Sequence, residues 1–129
     1  LNDIDVPVFA LGTRTDHVAP WRSVYKINLL CDTEVSFVLT EGGHNAGILS
    51  EPGHPHRSHR LLKRTKNAPY VAPDEFLDRS QEMAGSWWPC FEQWLAGHSG
   101  PRRRPPGMGS PRHGYPPIGD APGVYVLGR

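Results

Sequence analysis

The chain contains no apolar run near the ~18 residues that a membrane-crossing helix needs, and no basic-then-apolar leader of the kind that directs secretion. The cytoplasm is therefore the expected compartment. Cysteine is scarce: Cys31 and Cys90 are the only two, which excludes a disulfide framework or paired zinc knuckles and suits a reducing environment. Excess charge is absent as well. A formal net charge of +1 excludes the electrostatic footprint of a nucleic-acid-binding protein, and no segment repeats at solenoid periods. What the chain has in excess is proline and glycine, fourteen of each. Many lie in the last third, where linker-like behaviour is expected.

The 129 residues fit one domain with a buried core. The first third reads as a strand-helix-strand unit. Val6 to Leu11 is almost continuously apolar, as a parallel strand covered on both faces is. Gly12-Thr13-Arg14-Thr15 breaks that run ahead of Asp16. Pro20 opens a helix whose apolar positions from Trp21 to Leu30 include i, i+3, i+4 spacings, and Cys31-Asp32-Thr33 ends it. Val35 to Thr40 is the second strand, expected to lie parallel to the first through a right-handed crossover.

Two chemical groups follow these two strands. Asp16 comes after the first, and His44 sits after the second in Gly42-Gly43-His44-Asn45-Ala46-Gly47-Ile48. Parallel pairing brings both to the carboxyl edge of one sheet, where open α/β sheets place their chemistry. A histidine acting as general base must hold one tautomer and tolerate becoming imidazolium, and a carboxylate bonded to Nδ1–H secures both. Gly42 and Gly43 are expected to let the backbone turn tightly, and Gly47 to permit close approach. The competing interpretation is a surface aspartate at a strand end and a loop histidine in a glycine-rich turn.

Three motifs carry a family resemblance: Asp16-His17-Val18-Ala19-Pro20-Trp21, then Gly43-His44-Asn45-Ala46-Gly47-Ile48, then Gly85-Ser86-Trp87-Trp88-Pro89 with Trp94-Leu95. Together they resemble the carboxyl-terminal portion of class I poly(3-hydroxyalkanoate) synthases. The closing Tyr115-Pro116-Pro117 and Ala121-Pro122-Gly123-Val124-Tyr125-Val126 look like that family's tail. The resemblance implies the carboxyl-terminal part of an α/β-hydrolase fold. Residues 1–68 would end the catalytic core, and 69–129 would form an extension with a Trp-rich helix and a Pro/Gly-rich tail. It also implies acyl transfer through a cysteine thioester, with 3-hydroxyacyl-coenzyme A as substrate, no covalently bound cofactor and no metal. The implied partners are the polyester chain, a second copy in a homodimer and the polymer granule surface. By matching motifs, His44 is the general base and Asp16 its partner. His17 is either a substrate-channel residue behind the pair or a histidine that bonds the loop backbone.

The family's nucleophile lies in a Gly-x-Cys-x-Gly elbow, and neither Leu29-Leu30-Cys31-Asp32 nor Trp88-Pro89-Cys90-Phe91 is one. Cys31 is expected to pack as a small apolar residue and Cys90 to fill a gap among aromatics. The nucleophile, the oxyanion donors and most of the coenzyme A site are therefore expected upstream in a longer protein. An α/β hydrolase is usually about twice this long, and the opening residue, Leu1, is not methionine. An esterase or polyester depolymerase would use Asp16 and His44 equally well, with a serine elbow. A non-catalytic interaction module is the remaining class.

The segment from Gly53 to Lys66 is basic and histidine-rich and is expected to be a solvated loop. His54, His56 and His59 lack a well-spaced acidic or cysteine ligand for a metal. Arg57, Arg60, Lys63 and Arg64 are the candidates for attracting coenzyme A phosphates or an anionic granule surface. After Pro73 a short helix begins, with Asp74 and Glu75 favourable for its dipole. Trp87, Trp88, Phe91, Trp94 and Leu95 share one helical face, expected to pack on the domain's core. Residues 101–117 read as a flexible linker, and 124–127 as a short strand or packing segment.

Overall fold

The structure is a computed structural model that describes residues 3–128. Two compact units divide at Ser99 and Gly100. The first is a four-stranded mixed sheet with helices on both faces. Strand β1 (Val8–Thr13) pairs in parallel with β2 (Val35–Thr40), which pairs antiparallel with β3 (Ser58–Arg64), which pairs antiparallel with β4 (Glu82–Ala84). The expected parallel unit is present, in a register that sets Thr13 opposite Thr40. Every residue of β2 is buried, Ser36 and Thr40 included, because it lies between β1 and β3 with both faces covered.

One face holds the main core. Phe37 of β2 lies in register between Ala10 and Leu62, and Tyr25, Leu39, Val71 and Phe76 complete the buried cluster with it. Tyr25 and Phe76 reach that face from the connection after β1 and from α3 (Pro73–Arg79). The Tyr25 hydroxyl donates to the Val71 carbonyl at 3.0 Å, so its one polar atom is paired. The expected helix over 21–30 is two single turns, α1 (Trp21–Val24) and α2 (Ile27–Leu30). Tyr25 and Cys31 are buried while Leu29 and Leu30 are exposed, so packing holds only part of the apolar pattern.

The opposite face is covered by α4 (Trp88–Gly97). Phe9 of β1 meets the rings of Phe91, Trp94 and Trp87 at centroid distances of 5.0, 5.6 and 6.4 Å, contacts worth about 0.5–1.5 kcal/mol each beyond their buried area. The expected aromatic stripe thus divides: these three pack inward, and Trp88 and Leu95 remain partly exposed. Helix α3 starts at Pro73 with Asp74 and Glu75 in its first turn, as the dipole argument requires. Residues 69–99 therefore pack on both faces of the sheet that 1–68 begins, and the compact unit runs to Ser99.

The basic stretch is corrected by the structure. Residues 58–64 form a strand, β3, because alternate residues find opposite faces of the sheet. His59, Leu61 and Lys63 face α4, whereas Arg60, Leu62 and Arg64 face α3. Arg64 is buried, and its guanidinium donates to the carbonyls of Cys31, Thr33 and Ala68. Arg60 bonds Glu82 and the carbonyls of Leu77 and Ser80, and Lys63 pairs with Glu34 at 2.8 Å. Arg60 and Arg64 are committed to the fold, which corrects their candidacy as free phosphate-attracting groups, whereas Lys63 stays half-exposed beside Glu34.

In the second unit, Ser110 and Tyr115 close a small backbone bridge around a 3₁₀ turn at Pro111–His113. Residues Tyr125–Leu127 form another 3₁₀ turn, where a short strand was one expectation. Its backbone bonds are local, from Leu127 N–H to the Val124 carbonyl at 3.0 Å and from Gly128 N–H to that of Tyr125 at 3.1 Å, where a strand would need a partner chain segment. No helix among the described residues is long and apolar enough to cross a membrane.

Candidate active site

The parallel register of β1 and β2 fixes where their loops emerge. Directly beyond the Thr13 and Thr40 pair, Arg14 N–H donates to the Thr40 carbonyl at 2.9 Å and Thr15 N–H to the Gly42 carbonyl at 3.1 Å. The two loops are therefore joined through main chain before either functional side chain begins. Gly42 has φ of 99°, where an L side chain is strained, and a Cβ there would lie 2.9 Å from the Gly47 nitrogen. A Cβ on Gly47 would lie 2.6 Å from Thr13 Cγ2. Gly43 has no such constraint, so the expected tight turn rests on Gly42 alone.

Asp16 and His44 meet. His44 Nδ1–H donates to Asp16 Oδ2 at 2.8 Å, a tautomer assigned from the carboxylate, which only accepts. The other oxygen, Oδ1, accepts the N–H groups of Val18 at 2.8 Å and Ala19 at 2.9 Å. Thr13 Oγ1–H donates to Oδ2 at 3.3 Å. The Asp16 side chain is 7% exposed and that of His44 52%, so the acid is sheltered and the imidazole is presented. The Ala19 N–H above all, aided by His44 and the Val18 N–H and opposed by partial burial, holds the Asp16 carboxyl down at about 2. It is therefore anionic at neutral pH. Among the described residues, Nε2 of His44 has no protein partner.

The pair lies in an open cleft of about 440 Å³, walled by Leu11, Val24, Ile48 and Leu49. Neither cysteine lines it. Cys31 is fully buried, as expected. Cys90 lies on the α4 face, 3.2 Å from His59 Nε2. His59 is buried, and its Nδ1–H donates to the Gly85 carbonyl at 3.0 Å, which leaves Nε2 to accept the Cys90 thiol. Burial raises the Cys90 pKa, the opposite of what an activated thiol needs. The aromatic gap expected for Cys90 thus contains a histidine.

His17 is exposed and makes no side-chain hydrogen bond among the described residues. Its chain neighbours Val18 and Ala19 bond the acid while its own imidazole does not. His54 bonds the Pro55 carbonyl at 2.9 Å, and no group of three potential metal ligands clusters among the described residues.

Several contributors were not legible in the sequence. Thr13 and the two backbone N–H groups carry no distinguishing signal. The Ser86-Trp87-Trp88-Pro89 block stands out in the sequence, but its target lies in a distant segment: Trp87 Nε1–H donates to the Gly47 carbonyl at 3.1 Å, Trp88 Nε1–H to that of Ile48 at 2.9 Å, and Ser86 Oγ–H to that of Ser50. All three carbonyls belong to the loop that carries His44.

These features define an acid–histidine pair at the carboxyl edge of a mixed α/β sheet. The chain is 39% identical over its whole length to a poly(3-hydroxyalkanoate) polymerase subunit PhaC of Cupriavidus necator and 33% identical to poly(3-hydroxyalkanoate) polymerase 2 of Ectopseudomonas oleovorans. It is 36% identical over 98% of its length to a poly(3-hydroxyalkanoate) polymerase of Methylorubrum extorquens. Over essentially its whole length it is thus similar to poly(3-hydroxyalkanoate) polymerases, and it spans 20–22% of the length of these relatives. No family model matches it.

Proposed function

We propose that this chain supplies the acid and the general base of an acyltransferase that polymerises 3-hydroxyacyl-coenzyme A into polyester, within a longer protein that supplies the cysteine nucleophile. The observation that carries the proposal is the 2.8 Å bond from His44 to a sheltered Asp16. Whole-length similarity to polymerases supports the substrate class. The mixed sheet supports the carboxyl-terminal part of an α/β-hydrolase fold with the acid and histidine on 1–68; the Trp-rich segment belongs to the same compact unit, and the Pro/Gly-rich tail is a separate one from Gly100.

In this mechanism His44 Nε2 accepts the thiol proton of the upstream cysteine. The thiolate attacks the thioester carbonyl, and coenzyme A leaves as a thiol after taking the proton from His44. The hydroxyl of a further unit or chain end then gives its proton to His44 as its oxygen attacks the acyl-cysteine. An ester forms, and the released cysteine takes the proton back. Asp16 remains an anion and stabilises each transient imidazolium. His17 is proposed as a channel residue, and the granule surface, a second copy and the polyester chain as partners of the whole protein, located in the cytoplasm and on the granule.

A serine esterase or polyester depolymerase could use the same pair, and the polymerase relatives favour the cysteine enzyme. A purely interacting module has less support, because three aromatics of the α4 stripe are spent on Phe9. The test is coenzyme A release from 3-hydroxyacyl-coenzyme A by the whole protein. His44→Ala is expected to abolish acylation and elongation together. Activity near wild type in that variant overturns the assignment. The isolated chain is expected to release no coenzyme A.

A further inference from the structure

The entry to α4 is tied to the histidine loop by side-chain hydrogen bonds. Three consecutive residues, Ser86, Trp87 and Trp88, send side-chain donors forty residues or fewer back in sequence to the carbonyls of Ser50, Gly47 and Ile48. The loop needs such an anchor, since its own bonds are short-range ones: Gly47 N–H to the Gly43 carbonyl, Ile48 and Leu49 N–H to that of Asn45. Trp87 is buried and its ring is held by Phe9 and Phe91, so its N–H is a fixed donor. Trp88 is set by its own position in the first turn of α4, where its N–H bonds Ser86 Oγ at 3.0 Å.

From these contacts we infer that Trp87 and Trp88 are positioning residues for the general base. Their indole N–H groups fix the far end of the loop while Thr15 N–H fixes the near end at Gly42, and His44 is held between them at bonding distance from Asp16. The inference rests on the assignment of His44 as base. Neither tryptophan touches a reacting atom: the N–H acts through the loop carbonyl, the carbonyl through the backbone, and the backbone through the height of the imidazole. Misplacing a catalytic group by about 1 Å costs on the order of a hundredfold in rate, so a small release of the loop is enough to matter.

The experiment uses the whole protein. Trp87 and Trp88 are replaced by phenylalanine, singly and together, and in a second pair of variants by β-(3-benzothienyl)alanine, which keeps the bicyclic ring and lacks the N–H. Steady-state kinetics and hydrogen exchange of the peptide spanning 42–50 are measured on each. The expected result for the double isostere is faster exchange in that peptide, with kcat lower by at least about tenfold and KM within about twofold. A double isostere with wild-type exchange and wild-type kcat overturns the inference, since it retains the packing and removes only the donors. Should phenylalanine prevent folding, the isostere alone decides. His44→Ala is run alongside: if it remains active, the base assignment fails, and loop exchange then judges the anchoring by itself.

Discussion

Thr15 donates its backbone N–H to the carbonyl of Gly42 across two loops that are 27 residues apart. That bond lies just beyond the end of the parallel β1–β2 pairing and ties the acid loop to the histidine loop. The side-chain pairing of Asp16 and His44 is thus built on a main-chain scaffold. Arg14 and Glu41 add an ion pair at 2.8 Å between the same loops, although both are solvent-exposed and the contribution is about 0–1 kcal/mol.

The two members of the pair should fail differently. In the whole protein, Asp16→Asn keeps the shape and loses the charge, so the imidazole can adopt the wrong tautomer. Turnover is expected to fall by on the order of 10³–10⁴-fold while substrate binding persists. His44→Ala removes the proposed proton acceptor itself and is expected to block formation of the acyl-enzyme. Single-turnover measurement of coenzyme A release separates the two.

Asp16 also predicts a pH dependence. Its carboxyl is held at about 2, below the ordinary 3.8, so the folded loop favours the anion. The stabilisation is complete above the unfolded value and is lost as pH falls from about 4 toward 2. A carboxyl-carbon NMR titration of Asp16 is expected to show it still charged at about pH 3. Because the Ala19 N–H is the largest cause, His44→Ala should leave it below 3.8. A midpoint at the ordinary value in the unmodified protein would contradict the loop geometry.

Substitutions at three neighbouring glycines should rank by geometry. Gly47→Ala forces a Cβ to 2.6 Å from Thr13 Cγ2 and 2.8 Å from the Glu41 carbonyl oxygen, an overpacking expected to cost about 1–3 kcal/mol. Gly42→Ala adds strain at φ of 99° and is expected to cost a similar 1–3 kcal/mol, roughly. Gly43→Ala meets nothing nearer than 3.8 Å and is expected to lie within about 0.5 kcal/mol of wild type. Denaturant midpoints of the three variants provide the ranking.

Arg64 offers a test of the buried side of the sheet. Arg64→Ala leaves the carbonyls of Cys31, Thr33 and Ala68 without their guanidinium donor, an expected loss of roughly 1.5–3 kcal/mol or more. Arg64→Lys retains the charge and cannot fork among three acceptors, so an intermediate loss is expected. Equal stability of Arg64→Lys and wild type in thermal unfolding would show that geometry is unimportant there.

Some of this was written locally and some was not. The β-branched and aromatic residues of Val35 to Thr40 mark a strand, and the position of Asp16 and His44 after successive strands anticipates their meeting, because parallel pairing leaves one edge for both loops. Pro73 followed by two acids marks the start of α3. In contrast, the residues from Ser58 to Arg64 look like a solvated basic loop, since net charge there conceals the alternation. Their strand character depends on Glu34, Glu82 and several carbonyls, all supplied by distant segments.

By itself, then, the sequence determined the strand-helix-strand unit, the placement of an acid and a histidine at its edge, and the motifs shared with polymerases, because each is a pattern over a few consecutive residues. Only the tertiary structure decided how the imidazole is held. The donors from Trp87 and Trp88 to Gly47 and Ile48, and the pairing of His59 with Cys90, join residues thirty or more positions apart. Such contacts depend on which face of the sheet α4 covers, a choice made by burying Phe9 against its aromatic rings, and no local pattern records it.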